Sequence, residues 1–263
     1  MPENEPQQSQ AFRDAGIYIL RGDGLYLAFN ASDSGIKGRG SHGHNDGLSI
    51  EVSACGVAFI VDPGTYVYTA NLHERHLFRS TSYHSTVQID GVEQNTTNED
   101  TPFVIGNEAR PRVIEWKTAP SEETVTGEHF GYHRLPQPVT HRRTIIFKRP
   151  ERRWEITDQL FGEGEHEVAF RFHFAPGLDV QLRPDEIVET LDKATSVRLL
   201  IVATEESGGR FANQPEFESL FSSHDYGQKA TSISVCWRRR VQLPFAAHFS
   251  LIPLRAGELE RDA

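Results

Sequence analysis

The chain has 263 residues, with 27 Lys and Arg against 37 Asp and Glu, a formal net charge of −10 and a pI of about 5.6. That balance argues against a nucleic-acid binder and offers an acidic polymer no general attraction, so any hold on one must be local. No run of 18 apolar residues and no Sec-type leader is seen, and the two cysteines have no Cys-x-x-Cys spacing; neither a membrane span, an export signal nor a disulfide framework is expected.

In chain order, Met1 to Gln10 is polar and aperiodic, so a flexible tail is expected over residues 1–11 and a single domain over 12–263. Gly16 to Arg21 and Leu25 to Asn30 flank Gly22-Asp23-Gly24 as a hairpin. Leu48, Ile50, Val52 and Ala54 alternate with polar residues as in a strand with one buried face, and Cys55-Gly56 ends it. Val57 to Val61 is continuously apolar, the pattern of a strand covered on both sides, and Asp62-Pro63-Gly64 stops it. Paired antiparallel, these two strands bring the His42/His44 loop beside Asp62, although His44 and Asp62 are 18 positions apart. His84 stands just ahead of a third alternating run, Thr86 to Ile89, which ends in the hairpin dipeptide Asp90-Gly91.

Further strands are expected at Val139 to Lys148, Trp154 to Asp158, Val168 to Phe174, Val197 to Ala203, Ile233 to Arg238 and Ala246 to Ile252. Only Asn71 to Phe78 and Pro215 to Leu220 suggest helix. Many strands without long helices point to an all-β fold of stacked antiparallel sheets, a β-sandwich.

Two histidines and an aspartate are a usual ligand set for zinc, with a fourth position left open. Spacing alone leaves plainer alternatives standing: His84 as a turn cap, Asp62-Pro63-Gly64 as turn chemistry, and the His pair as a solvated loop. His73-Glu74-Arg75-His76 lacks the two residues that a zinc-protease helix needs between Glu and the second His, and is expected to be a polar loop. His173 is expected to be a hydrogen-bonded sheet residue. Cys55 and Cys236 are expected to be buried free thiols. His141-Arg142-Arg143, Arg149 to Arg153 and Arg238-Arg239-Arg240 are expected to be solvated faces.

The ordered motifs Gly40-Ser41-His42-Gly43-His44-Asn45-Asp46, Asp62-Pro63-Gly64-Thr65-Tyr66 and Arg79-Ser80-Thr81 with His84-Ser85-Thr86 resemble the C-terminal β domain of heparinase II/III-like polysaccharide lyases. The resemblance runs loosely from Phe12 to Pro253. It implies that His44, Asp62 and His84 bind one zinc ion of structural role, while His42 faces substrate as base or charge neutraliser. Asn45, Tyr66 and Arg79 are candidates to contact substrate, with Tyr68 beside Tyr66 at the cleft; the plainer alternatives are a loop amide bonding its own backbone for Asn45, rim packing for the tyrosines and an ion pair with one of the chain's acids for Arg79. The implied activity is β-elimination of uronic-acid glycans such as heparan sulfate or alginate, in the periplasm or cell envelope; a cytoplasmic location stays open without a leader. Family members carry a helical toroid ahead of this domain, supplying further acid and base groups. This chain is expected to lack it, and to need a separately encoded helical partner to act on an acidic polysaccharide. A non-catalytic, metal-stabilised glycan-binding or assembly module is the alternative, and a cupin-like metal hydrolase a third.

Overall fold

The structure is a computed structural model that describes residues 8–35, 40–205, 208–211 and 213–260. In chain order its strands are β1 (Gln10–Phe12), β2 (Ile17–Gly22), β3 (Leu25–Asn30), β4 (Ile50–Ala54), β5 (Val57–Ile60), β6 (Val87–Ile89), β7 (Arg112–Thr118), β8 (Glu122–His129) and β9 (Thr140–Lys148). There follow β10 (Arg153–Phe161), β11 (Glu165–His173), β12 (Asp179–Leu182), β13 (Val188–Asp192), β14 (Val197–Glu205), β15 (Glu216–Asp225), β16 (Gln228–Gln242) and β17 (Phe245–Leu254). One α-helix, α1 (Leu72–Phe78), interrupts them.

The strands form three antiparallel sheets: β1-β2-β3-β4-β5, β12-β13-β14-β17-β10-β9-β8-β7, and β15-β16-β11-β6. The first and third meet edge to edge, because Ile60 bridges Phe174 and the Val61 N–H donates to the His173 carbonyl at 3.0 Å. Together they face the eight-stranded sheet. Phe29 and Leu48 press on Gly127 of β8, and Phe170 and Phe172 pack on Phe249 of β17 with ring centroids 5.6 and 5.1 Å apart. One core of residues from all three sheets fills the space between the layers.

This seam positions the site. β6 pairs with β11 at Val168–Phe170, and β5 meets the same strand at its far end. The end of β5, which leads to Asp62, and the start of β6, which follows His84, therefore converge along one neighbour.

The all-β sandwich and the principal hairpins agree with the sequence. In the first hairpin Gly22 pairs with Leu25, and Asp23 and Gly24 both take positive φ (53° and 76°). Several details differ. β1 begins at Gln10, inside the segment expected as tail, because Gln10 to Phe12 pair with Ile17 to Ile19. Leu48 is not strand but left-handed at φ 60°, directly before the hairpin. Ala58 is exposed, so β5 is not covered on both faces. Asp90-Gly91 turns only as far as an Ile89–Val92 bridge, and β6 pairs with β11 instead of a following strand. The helix expected at Pro215 to Leu220 is strand β15, since the long hairpin with β16 outweighs the helix-forming Glu and Leu residues.

Candidate functional site

The His42–Gly47 loop is held by a polar clamp. Gln94 accepts from the Gly47 N–H at 2.8 Å and donates to the Gly47 carbonyl at 3.0 Å; Asn45 donates to Glu93 at 2.8 Å and accepts from the Asn95 N–H at 2.8 Å. Glu93 also accepts from the N–H and hydroxyl of Thr81, at 2.7 and 2.8 Å, which ties this loop to the turn that carries His84. Asn45 is wholly buried, with both ends of its side chain used in holding this frame. Nothing in the sequence pattern marked Glu93-Gln94-Asn95 except a polar triplet just after a turn.

The clamp and the seam bring His44, Asp62 and His84 together: the hairpin pattern had placed the first two side by side, and the resemblance had added His84. The His84 Nε2 lies 3.2 Å from the His44 Nδ1 and 3.3 Å from an oxygen of Asp62. The other His84 nitrogen, Nδ1, donates to the Ser80 carbonyl at 2.7 Å, leaving Nε2 free to face the cluster. The second Asp62 oxygen accepts from the Gly64 N–H at 2.7 Å. Asp46, to which sequence reasoning gave no role, joins them: one donor atom from each of His44, Asp46, Asp62 and His84 lies within 4.8 Å of the others. Its only signal was one-residue alternation with His44.

Charge follows this geometry. Burial, then the neighbouring His84, lowers His44 to about 3, so it is a neutral imidazole. Burial works to lower His84 and raise Asp62, but their contact wins in both, taking His84 up to about 9 and Asp62 down to about 2. Burial raises Asp46 to about 6. Without a metal, His84 and Asp62 thus form an ion pair.

The residues fit zinc. Tetrahedral bonds of about 2.0–2.1 Å give ligand-to-ligand edges of about 3.3–3.4 Å, close to the two separations above. One adjustment is required: Arg75 Nη1 stands 3.0 Å from the His44 Nε2 and can only donate to it. Ligation through Nδ1 puts the ring proton on Nε2, and Arg75 must then turn aside, with the Ser41 carbonyl 3.5 Å from its Nη2 as the nearby acceptor.

His42, by contrast, is exposed at the rim. Its Nδ1 lies 3.0 Å from the Tyr68 hydroxyl, and its ring is near those of Tyr68 and Phe103, with Tyr226 stacked beyond Tyr68 at 5.9 Å. Tyr66 is turned away, at φ 60°, packed on Phe78 and beneath Lys229. Arg79 is fully buried, donating to the Pro102 carbonyl at 2.9 Å, and cannot meet a substrate carboxylate while residue 102 covers it. The His73–His76 segment is α1, not a loop: Asn71 caps it at the Glu74 N–H, and Arg75 points inward.

Behind the site, Arg143 grips Asp158 through two bonds of 2.8 and 2.9 Å and donates at 2.8 Å to the carbonyls of both Leu48 and Ser85. His141 donates to Asp158 at 2.7 Å and contacts His129. These residues have essentially no exposure, so His141 and Arg143 are not a solvated face; a carboxylate inside the sheet is what keeps them there. Arg142 and Arg238 do reach the surface, paired with Glu128 and Glu216. His173 bonds Ser232 at 2.9 Å as expected. Both cysteines are free, Cys236 buried and Cys55 half-buried.

Residues 4–246 match the family model "Heparinase II/III-like, C-terminal". No curated protein sequence matches the chain. Among solved structures, a heparinase III gene product aligns with TM-score 0.77 at 17% identity over 95% of this chain and 36% of its own. The heparan sulfate lyase HepC from Pedobacter heparinus aligns with TM-score 0.77 at 19% identity, over 98% and 38% respectively. A 4-alpha-glucanotransferase from Thermococcus litoralis shares the fold more distantly, with TM-score 0.51 at 10% identity. The chain spans less than two-fifths of the length of the two heparinases.

Proposed function

Because the chain belongs to the heparinase II/III-like C-terminal family, we propose that it is the β half of a polysaccharide lyase that cleaves uronic-acid glycans by β-elimination, completed by a helical partner domain. The observation that carries this reading is the division of labour on one loop: His44 is buried in the donor cluster, while His42, two residues earlier, stands exposed against a phenol.

In the reaction a base takes the proton α to the uronate carboxylate, the electron pair forms a carbon–carbon double bond, and the β-glycosidic oxygen leaves with a proton. Negative charge grows on the carboxylate as the proton departs, and a fixed donor there lowers the barrier. His42 fills that place, its ring oriented by Tyr68. Beneath it, Arg75 and Arg79 are buried guanidiniums without an ion pair among the described residues, a local positive field in an acidic chain. His44, Asp62 and His84 would hold a zinc ion whose contribution when bound is to cross-link the loops around His42. The acid or base on the far side of the sugar bond belongs to the helical domain; positioning of that kind is worth about 7 to 11 kcal/mol, so the half-cleft alone should be nearly inert. An envelope location fits an exported polysaccharide substrate.

Mixing or fusing the chain with a family helical domain should generate the ultraviolet absorbance of unsaturated uronate from heparan sulfate or alginate. His42→Ala should abolish it while leaving metal content and melting temperature near wild type. If the wild-type assembly yields no product from any uronate polymer, the lyase reading fails. The exposed Phe103 and Tyr226 rings, with the half-buried Tyr68 between them, favour a second reading, a glycan-binding module; binding to glycan without product would select it.

A further inference from the structure

The clustered donors carry one step more than the three-ligand set. We infer that Asp46 is a fourth protein ligand, closing the metal shell as His2Asp2 with no position left for water or substrate. The inference rests on the metal reading above and concerns this chain's own residues.

Three observations support it. First, His44 and Asp46 flank Asn45, whose side chain is buried the other way and pinned at both ends, by Glu93 and by the Asn95 N–H. The chain bends at Asn45, and with that side chain anchored inward the donor atoms of both neighbours, His44 and Asp46, reach the cluster. Second, the Asp46 carboxylate makes no ion pair among the described residues, although a neighbouring acid, Asp62, has His84. A second carboxylate beside Asp62 is costly without a cation, and a divalent ion held by two carboxylates and two neutral imidazoles is charge-balanced. Third, a cleft that reaches the cluster opens away from His42. Its volume is about 190 Å³, and it reaches Asp46 and Asp62 past Tyr26, Asn30 and Glu51. His42 is not among its lining residues. A coordination position left open there would face the β3–β4 surface, not the rim where His42 and Tyr68 stand.

A closed shell makes the ion a rivet. Its loss should loosen the His42 loop, but no bond-making step passes through it, and the cleft serves as the route by which the cation enters.

Cobalt(II) substitution tests this without reference to activity. Wild-type protein loaded with cobalt should show the intense visible bands of a four-coordinate ion, unchanged by added azide, because no exchangeable position exists. Asp46→Asn should weaken zinc binding more than about 100-fold in chelator competition, beyond the 10- to 100-fold expected when an outer partner is lost. Its cobalt spectrum should now respond to azide. An azide response in the wild type overturns the inference even if Asp46→Asn fails to fold, and so does an Asp46→Asn variant whose loss of zinc affinity stays within about 100-fold. If the wild type, Asp46 intact, takes up no zinc or cobalt, the three-ligand reading falls and this inference with it. A lyase assembly that fails while the cobalt results hold would leave the closed shell intact.

Discussion

Asn45 shows what decides a residue's role when its type does not. An amide in a His-Gly-His-Asn loop suits a substrate donor equally well, yet both ends of this side chain are used internally. Removing it strands the Asn95 N–H and one bond to the Glu93 carboxylate in the interior. Asn45→Ala should therefore cost about 1–3 kcal/mol in urea unfolding of the chain alone. A residue that touched only substrate would leave that midpoint unchanged. Arg79 teaches the same lesson: its charge suggested a substrate carboxylate, but its place as the C-cap of α1 buries it against the Pro102 carbonyl.

Among elements, the turn after β5 shows how tightly a metal-ligand loop is fitted. Gly64 has φ 78°, its N–H holds Asp62, and a Cβ there would run into the Ser223 carbonyl oxygen. Gly56, in the turn before β5, has φ 84° but open space around it. Gly56→Ala should cost about 1 kcal/mol for its left-handed backbone alone. Gly64→Ala adds a steric clash to the same backbone strain, so thermal unfolding should show a clearly larger loss, accompanied by reduced zinc content. Equal melting temperatures for the two variants would refute the fit.

Elements also mark how far the sequence could be followed. Strands with one apolar face, such as β2, β3, β9 and β17, were legible because their burial alternates with the pleat. β8 was not, because Glu123 and Glu128, five residues apart and so on opposite faces, are both buried, by pairing with Arg149 and with Arg112 and Arg142, which removes the alternation. Such partners lie across strands and leave no local period. The site divides in the same way. His44, Asp62 and His84 sit at strand ends that a hairpin pattern and a family motif locate, whereas Asp46, the Glu93–Asn95 clamp and Asp158 act through distant contacts.

For the whole molecule, the buried group at Asp158 contributes to the response to acid, beside Asp62, which is also held at about 2. Burial works to raise the Asp158 carboxyl, but Arg143 and His141 outweigh it and hold it at about 2. A depressed carboxyl contributes stability that is complete above its unfolded value near 4 and is lost as pH falls through about 2. The size is of order 2 kcal/mol. His141 is also lowered, burial being the chief cause, so its stabilisation likewise fades toward acid. Asp158→Asn should lower stability at neutral pH by about 3–5 kcal/mol, because Arg143 is left buried without its partner. Its unfolding free energy should also vary less than wild type between pH 4 and pH 2, measured by urea titration across that range. A parallel pH dependence in the two proteins would assign the acid response elsewhere.

The reach of Arg143 also sets an order in time. One guanidinium nitrogen bonds carbonyls 95 and 58 residues earlier in the chain, at Leu48 and Ser85. On the ribosome every donor of the cluster, from His44 to His84, emerges before the residue that braces the loops carrying them. Contacts of such long sequence separation form late, after their loop-closure entropy has been met. The nascent chain thus passes through an interval in which its metal donors are present but not yet aligned, and the arrival of β9 ends it.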